Sequence, residues 1–129
     1  MTQGFASERG FTRAPSGGGT GVSVQTFASN GSSAPLDTSG GGNQFFLFVS
    51  SDSNNCYVEL PDAASASGYI LTAHYIASGN RMYLECSTPA QFVATANADR
   101  LDMDTDAGGS GHSATIACDG NYWYLVGVW

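Results

Sequence analysis

Lysine is missing from this chain of 129 residues, and charge of either sign is scarce. Charged residues make up 12% of the sequence, whereas soluble domains usually contain about 25%. Four arginines against eleven acids give a net charge of −7. Because phosphate-binding surfaces need clustered Lys and Arg, we predict that the chain does not bind nucleic acid. Anionic membrane surfaces are disfavoured as partners for the same reason.

Long apolar runs and paired cysteines are also lacking. No run approaches the ~20 apolar residues of a membrane-spanning helix, and the first residues do not resemble a secretory signal. The three cysteines are Cys56, Cys86 and Cys118, and none has the CxxC spacing of a zinc site. Each lies in an alternating apolar run, so we predict that all three are buried as small hydrophobic side chains. These features predict synthesis in a reducing host cytoplasm.

The sequence contains no recognisable combination of catalytic residues. A nucleophile elbow reads GxSxG, and the nearest stretch, GSGH at 109–112, has a different spacing. The only other histidine, His74, lies in an alternating run that predicts a strand. Short acids in turns serve as turn formers, and this interpretation applies to Asp52, Asp62, Asp99 and Asp119. We therefore predict that the chain is not an enzyme, has no catalytic residues and needs no cofactor.

Glycine, serine and proline are concentrated in the first third of the chain. The stretches RAPSGGGT at 13–20 and NGSSAPLDTSGGGN at 30–43 cannot form a core by themselves. Between them, VSVQTF at 22–27 alternates and predicts one short strand. We predict an extended N-terminal arm over residues 1–43 and a single domain over residues 44–129.

The arm begins with two aromatic and two cationic side chains. Half of the cations of the protein lie within its first thirteen residues. We predict that Phe5 and Phe11 anchor the arm on another protein chain, and that Arg9 and Arg13 pair with acids of that partner. The alternative is an arm that folds back onto its own domain.

Residues 44–129 show the alternation that is typical of β-strands. The apolar run FFLFV at 45–49 predicts a strand that is buried on both faces. The runs at 69–77 and 113–118 alternate, and the second is followed by a turn and by YWYLVGV at 122–128, which predicts a closing hairpin. About eight short strands separated by turn signals predict an all-β fold, a single antiparallel β-sandwich or jelly roll.

The run DMDTD is the sharpest local signal for a metal. Alternate carboxylates can surround a hard cation, so a calcium site at Asp102, Asp104 and Asp106 is one interpretation. The run departs from an EF-hand loop, because Ala107 stands where glycine is required and Ser113 stands where a bidentate Glu is required. We favour a solvated acidic loop or an acidic strand edge, and predict no metal.

Two stretches carry a resemblance to a known family. Residues 58–71, VELPDAASASGYIL, resemble an element of small phage virion β-domains in which Leu-Pro and several small residues precede a glycine and an apolar strand. Residues 113–127, SATIACDGNYWYLVG, resemble the closing hairpin of these domains, with its T-apolar-x-C-D-G-x-x-W pattern. Such domains occur in tail fibres, head fibres and capsid decoration proteins. The resemblance covers residues 44–129 and implies homotrimers of β-sandwich or jelly-roll units, with no catalytic residues.

These features predict a structural protein of the bacteriophage virion. We expect a capsid decoration (cement) protein that lies on the capsid surface, binds the major capsid protein and stabilises the shell. The short chain without a collagen-like or coiled-coil shaft favours this function over a long fibre. The alternative is a tail-fibre tip that binds a receptor, or a carbohydrate-binding module. Alternation places Trp123 on the opposite face from Tyr122 and Tyr124, and the face outside the core is available to a partner or a sugar ring.

Overall fold

The computed structural model describes residues 21–51, 53–78 and 80–129. Within these residues the chain forms two β-sheets. The strands, in chain order, are β1 (Val22–Phe27), β2 (Ser33–Pro35), β3 (Gln44–Ser51), β4 (Cys56–Leu60), β5 (Ile70–Ser78), β6 (Met82–Cys86), β7 (Phe92–Val93), β8 (Arg100–Asp102), β9 (Ser113–Cys118) and β10 (Trp123–Val128).

The chain winds alternately between the two sheets. The first sheet has the order β1-β3-β5-β9-β10-β7, and the second has the order β2-β4-β6-β8. Strands β1, β3 and β5 are parallel neighbours in the first sheet, and β2, β4 and β6 are parallel neighbours in the second. Three successive coils therefore each contribute one strand to each sheet, which is the winding of a parallel β-helix with two sheets. Antiparallel β9 and β10 then extend the first sheet.

The predicted all-β fold is confirmed, but the predicted antiparallel arrangement is wrong. Of the eight strand pairings in the described residues, five are parallel. The alternation along strands such as β5 and β9 was predicted correctly, but alternation does not reveal which strands are neighbours. Strands β1 and β2 pair with β3 and β4, so residues 22–35 belong to the two-sheet body that was predicted to begin at residue 44.

A single apolar core contains side chains from both sheets. Alternate residues of the central strands are fully buried, among them Leu47 and Leu71 of the first sheet and Val58 and Leu84 of the second. The prediction that β3 is buried on both faces is wrong. Its pattern alternates between buried and half-buried residues, because every second side chain, such as that of Phe46, points away from the core.

Two short helical segments interrupt the strands, where the sequence predicted none. A 3₁₀ turn covers Ala63–Ser65, and the four-residue helix α1 covers Met103–Asp106. Strand β8 ends at Asp102, whose side chain accepts a hydrogen bond from the backbone N–H of Asp104 and so caps α1. Neither segment in the described part of the chain has the length and apolar character that a membrane-spanning helix requires.

Asparagine side chains join successive coils where the chain passes from one sheet to the other. The amide of Asn30 donates to the backbone carbonyl of Tyr57 at 3.0 Å and accepts from the backbone N–H of Tyr57 at 3.1 Å. The side-chain oxygen of Asn55 accepts from the backbone N–H of Arg81 at 3.0 Å. These bonds satisfy backbone groups of the next coil at the ends of its strands.

We expect the Asn30→Ala substitution to lower the free energy of unfolding by about 1 to 3 kcal/mol, because the backbone N–H and carbonyl groups of the half-buried Tyr57 lose this partner. Urea unfolding followed by circular dichroism measures the change. The matched control is Asn54→Ala, at an exposed position of the next turn, which should change the value by less than about 0.5 kcal/mol. Equal losses in both variants would contradict this role of Asn30.

Candidate assembly interface

Among the described residues, the strand positions on the outer face of the first sheet include no Asp, Glu, Lys or Arg side chain. Strand register and alternation define it, because residues aligned across neighbouring strands point to the same side. Its residues are Val22, Val24, Thr26, Gln44, Phe46, Phe48, Ile70, Thr72, His74, Ile76, Val93, Ser113, Thr115, Ala117, Tyr124, Gly127 and Trp129. A face of this size without any of these charged side chains is unusual in a chain with eleven acids.

The outer face of the second sheet differs in its charge. Its strands carry the outward side chains of Glu59, Glu85, Arg100 and Asp102. Glu59 and Glu85 are direct neighbours across β4 and β6, and Glu85 is aligned with Arg100 of β8. The guanidinium carbon of Arg100 lies 4.2 Å from the ring centroid of Tyr83. This face therefore combines charged and aromatic groups.

Polar groups on the outer face of the first sheet bond to one another. The hydroxyl oxygens of Thr72 and Thr115 lie 2.8 Å apart across β5 and β9. His74 Nδ1 lies 2.8 Å from Ser113 Oγ on the same pair of strands. Because these groups already have partners, covering them with another protein surface leaves fewer polar groups unsatisfied.

Large apolar side chains on this face remain exposed to solvent. Val24 is 62% exposed, Ile76 is 52% exposed and Trp129 is 65% exposed. Two neighbouring rings of β3, Phe46 and Phe48, stack with their centroids 4.9 Å apart. A contiguous apolar surface of this kind marks a contact site for another protein or a ligand.

A groove with a volume of about 320 Å³ crosses this face beside the last residue of the chain. It is lined by Val22, Phe46, Ile70, Thr72 and Trp129, among others. The indole of Trp129 lies over Gly127, so close that a side chain at position 127 would collide with the ring at 2.6 Å. Glycine at this position therefore lets the indole approach the backbone of β10 closely, and Trp129 also lines the groove.

The predicted partner-binding residues Phe5, Arg9, Phe11 and Arg13 lie outside the described residues. Their role stays a prediction.

The carboxylates of the acidic run at 102–106 have different partners. Asp102 forms an ion pair with Arg81 at 2.7 Å, and Asp106 accepts hydrogen bonds from the backbone N–H groups of Ala96 and Asp102. Burial and the neighbouring Asp102 raise the pKa of Asp104. Among the described residues, no group of three or more His, Cys, Asp or Glu side chains has an arrangement that could hold a metal ion.

The cysteines lie largely as predicted, and so does one of the turn acids, Asp119. Asp62 and Asp99 accept hydrogen bonds from Thr88 and Ala90, outside their own turns, and Asp52 lies outside the described residues. Cys56 and Cys118 are buried and Cys86 is half-buried, and all three are free thiols. Burial raises the pKa of Cys56 to about 11 and that of Cys86 to about 12, so both thiols are protonated at neutral pH. Asp119 accepts from two backbone N–H groups of its turn, which lowers its pKa. It therefore acts as a turn former.

The alternation of residues along β5 is a sequence signal for part of this interface. The alternation in the run at 69–77 indicates that Ile70, Thr72 and His74 share one face of their strand, and the structure confirms this. Their alignment with uncharged residues of β1, β3, β9 and β10 depends on the order of strands in the sheet.

Comparisons of the chain with protein-family models, curated proteins and solved structures found no match.

Proposed function

We propose that this chain is a structural protein of a bacteriophage particle, a capsid decoration protein that binds the major capsid protein and stabilises the shell. The observation that supports an assembly function is the outer face of the first sheet, whose described strand positions include no Asp, Glu, Lys or Arg side chain in a chain of net charge −7. Protein interfaces are depleted of charge at their centre and enriched in aromatic residues. The outer face of the first sheet matches this composition, because it contains the aromatic residues Phe46, Phe48 and Trp129.

The proposed assembly has two kinds of contact. The body forms a homotrimer, as in the virion β-domains that residues 58–71 and 113–127 resemble. The N-terminal segment contacts the capsid through the apolar rings of Phe5 and Phe11 and through the cations Arg9 and Arg13. Many copies bound to one shell would resist internal pressure through their summed interface area.

The capsid contact is tested with the Phe5→Ala/Phe11→Ala double variant. We expect this variant to bind particles that lack the protein at least about tenfold more weakly than the unchanged chain, because buried aromatic anchors each contribute about 1 to 3 kcal/mol. Co-sedimentation of labelled protein with the particles measures the affinity. The matched control, Thr2→Ala/Ser7→Ala, changes polar residues of the same segment and should bind normally. Full binding by the double variant would contradict the proposed anchor.

A second candidate function, glycan binding at a tail-fibre tip or in a carbohydrate-binding module, is supported by Trp129. Its indole is 65% exposed and lines the groove on the outer face of the first sheet. Flat aromatic rings can stack on sugar rings. A glycan array separates the two functions, since a specific hit that Trp129→Ala abolishes would favour this candidate.

A further inference from the structure

We infer that the partner at the outer face of the first sheet is another copy of this chain, packed sheet against sheet. This inference rests on the proposed assembly function and names the occupant of the same face. It assigns the contact between subunits to strands β1, β3, β5, β9 and β10. The predicted contact with the capsid through the N-terminal segment is a separate contact.

Charge is the first argument for a second copy. Two chains of net charge −7 repel each other, and the repulsion is strongest where carboxylates approach. Contact through the outer faces of the second sheets would bring the aligned pair Glu59 and Glu85 against the same pair of the partner. In the described part of the chain, no strand residue on the outer face of the first sheet is Asp or Glu. Asp119 reaches this face near one end, where its carboxylate accepts from the Tyr124 hydroxyl at 2.8 Å, so two copies that meet through the rest of the face avoid most of this cost.

The shape and area of the face give the second argument. Five strands spaced about 4.8 Å apart and about six residues long cover roughly 500 Å². Two such faces bury about 1,000 Å² in total, which is the lower limit for a biological protein interface. Stacked β-sheets pack about 10 Å apart with their side chains interdigitated. The exposed side chains of Val24, Ile70 and Ile76 supply the apolar contacts for such packing.

The side chains of this face allow the same face of a second copy to pack against it. The bonded pairs Thr72–Thr115 and His74–Ser113 leave little polarity that needs a complementary partner. Apart from the exposed polar side chains of Thr26 and Gln44, the remaining surface is aliphatic and aromatic, and contacts of this kind carry no requirement for opposite charge on the other side. Identical copies can therefore meet through this face in a dimer, where the same residues lie on both sides, or around the three-fold axis of the proposed trimer, where different parts of the face meet.

The test measures the molar mass of the purified full-length chain in solution, without particles, by sedimentation equilibrium at about 10 to 100 µM. We expect the unchanged chain to form a dimer or a trimer. We expect Val24→Glu and Ile70→Glu, each of which places a carboxylate on the face, to weaken association at least about tenfold. Both positions are about half exposed or more, so a carboxylate there can stay in water in the monomer. Circular dichroism and the thermal midpoint verify that each variant remains folded.

The matched control is Ser33→Glu, which adds the same charge at an exposed position on the second sheet and should leave the mass unchanged. Salt gives an independent readout. Raising the ionic strength screens the repulsion between acidic copies, so the dissociation constant of the unchanged chain should fall as salt rises. A dissociation constant that rises with salt would indicate attraction between charged surfaces and would overturn the inference.

Two other results would also overturn the inference. One is a monomeric chain at 100 µM, and the other is an oligomer that Ser33→Glu dissociates and Val24→Glu does not. If deleting residues 1–20 turned a monomer into an oligomer, that segment would be the occupant of the face. None of these results decides the proposed function, which is tested separately by the binding of the Phe5→Ala/Phe11→Ala variant to particles.

Discussion

Replacing Leu47 with aspartate should abolish the folded state. Leu47 is fully buried in β3, between the two sheets. A carboxylate at this position either stays charged in an apolar environment or is protonated without a partner, and each costs several kcal/mol in addition to the lost apolar contacts. A domain of this size has a total stability of about 5 to 15 kcal/mol. We expect no cooperative urea transition and loss of the near-ultraviolet circular dichroism signal.

The neighbouring residue supplies the control for this experiment. Phe48 belongs to the same strand and has a similar apolar character, but its side chain lies on the outer face of the first sheet and is only half-buried. Phe48→Asp should lower the free energy of unfolding by about 1 to 2 kcal/mol, through the lost contact area, and should keep a cooperative transition. If Phe48→Asp unfolded the chain and Leu47→Asp did not, the assignment of core and outer face would be reversed.

The Trp123→Ala substitution should lower the free energy of unfolding by about 3 to 5 kcal/mol. Trp123 is the largest fully buried side chain of the described residues, and its removal leaves a large cavity. Its indole N–H donates to the backbone carbonyl of Pro61 at 3.2 Å, so the substitution also leaves that carbonyl without this partner. The ring of Tyr69 packs edge-on against the indole, with centroids 6.5 Å apart, and loses that support. Urea unfolding of the variant measures the loss.

The adjacent aromatic residue is the matched control. Tyr122 precedes Trp123 in the hairpin loop and is 45% exposed. Tyr122→Ala should change the free energy of unfolding by less than about 1 kcal/mol, because little buried contact is removed. Trp123→Phe should fall between the two, since it keeps an aromatic ring in the core and loses the hydrogen bond. A loss of less than about 1 kcal/mol in Trp123→Ala would show that the core does not depend on this side chain.

The candidate interface could be predicted only in part, because its composition and its location depend on different information. Scarce charge favours a surface that packs against other chains, and this interpretation depends on residue counts alone. The aromatic and cationic residues within the first thirteen positions indicated a contact through the N-terminal segment, and these residues lie outside the described ones. The outer face of the first sheet draws residues from positions as far apart as Val22 and Trp129. No local pattern joins such positions.

The sequence by itself determined most strands and, in runs with a period of two such as 69–77, the side of the strand that is buried, since this period follows from the geometry of an extended backbone. It also determined the turn role of Asp119. It did not reveal the short strand β2 or the outward side of β3. Only the tertiary structure decided which strands are neighbours. The order of strands made most pairings parallel, and it brought the uncharged sides of five strands together in one face. The physical reason is that strand pairing depends on backbone hydrogen bonds between distant segments. Every residue except proline offers the same backbone groups, so side-chain patterns within one segment cannot specify its neighbour.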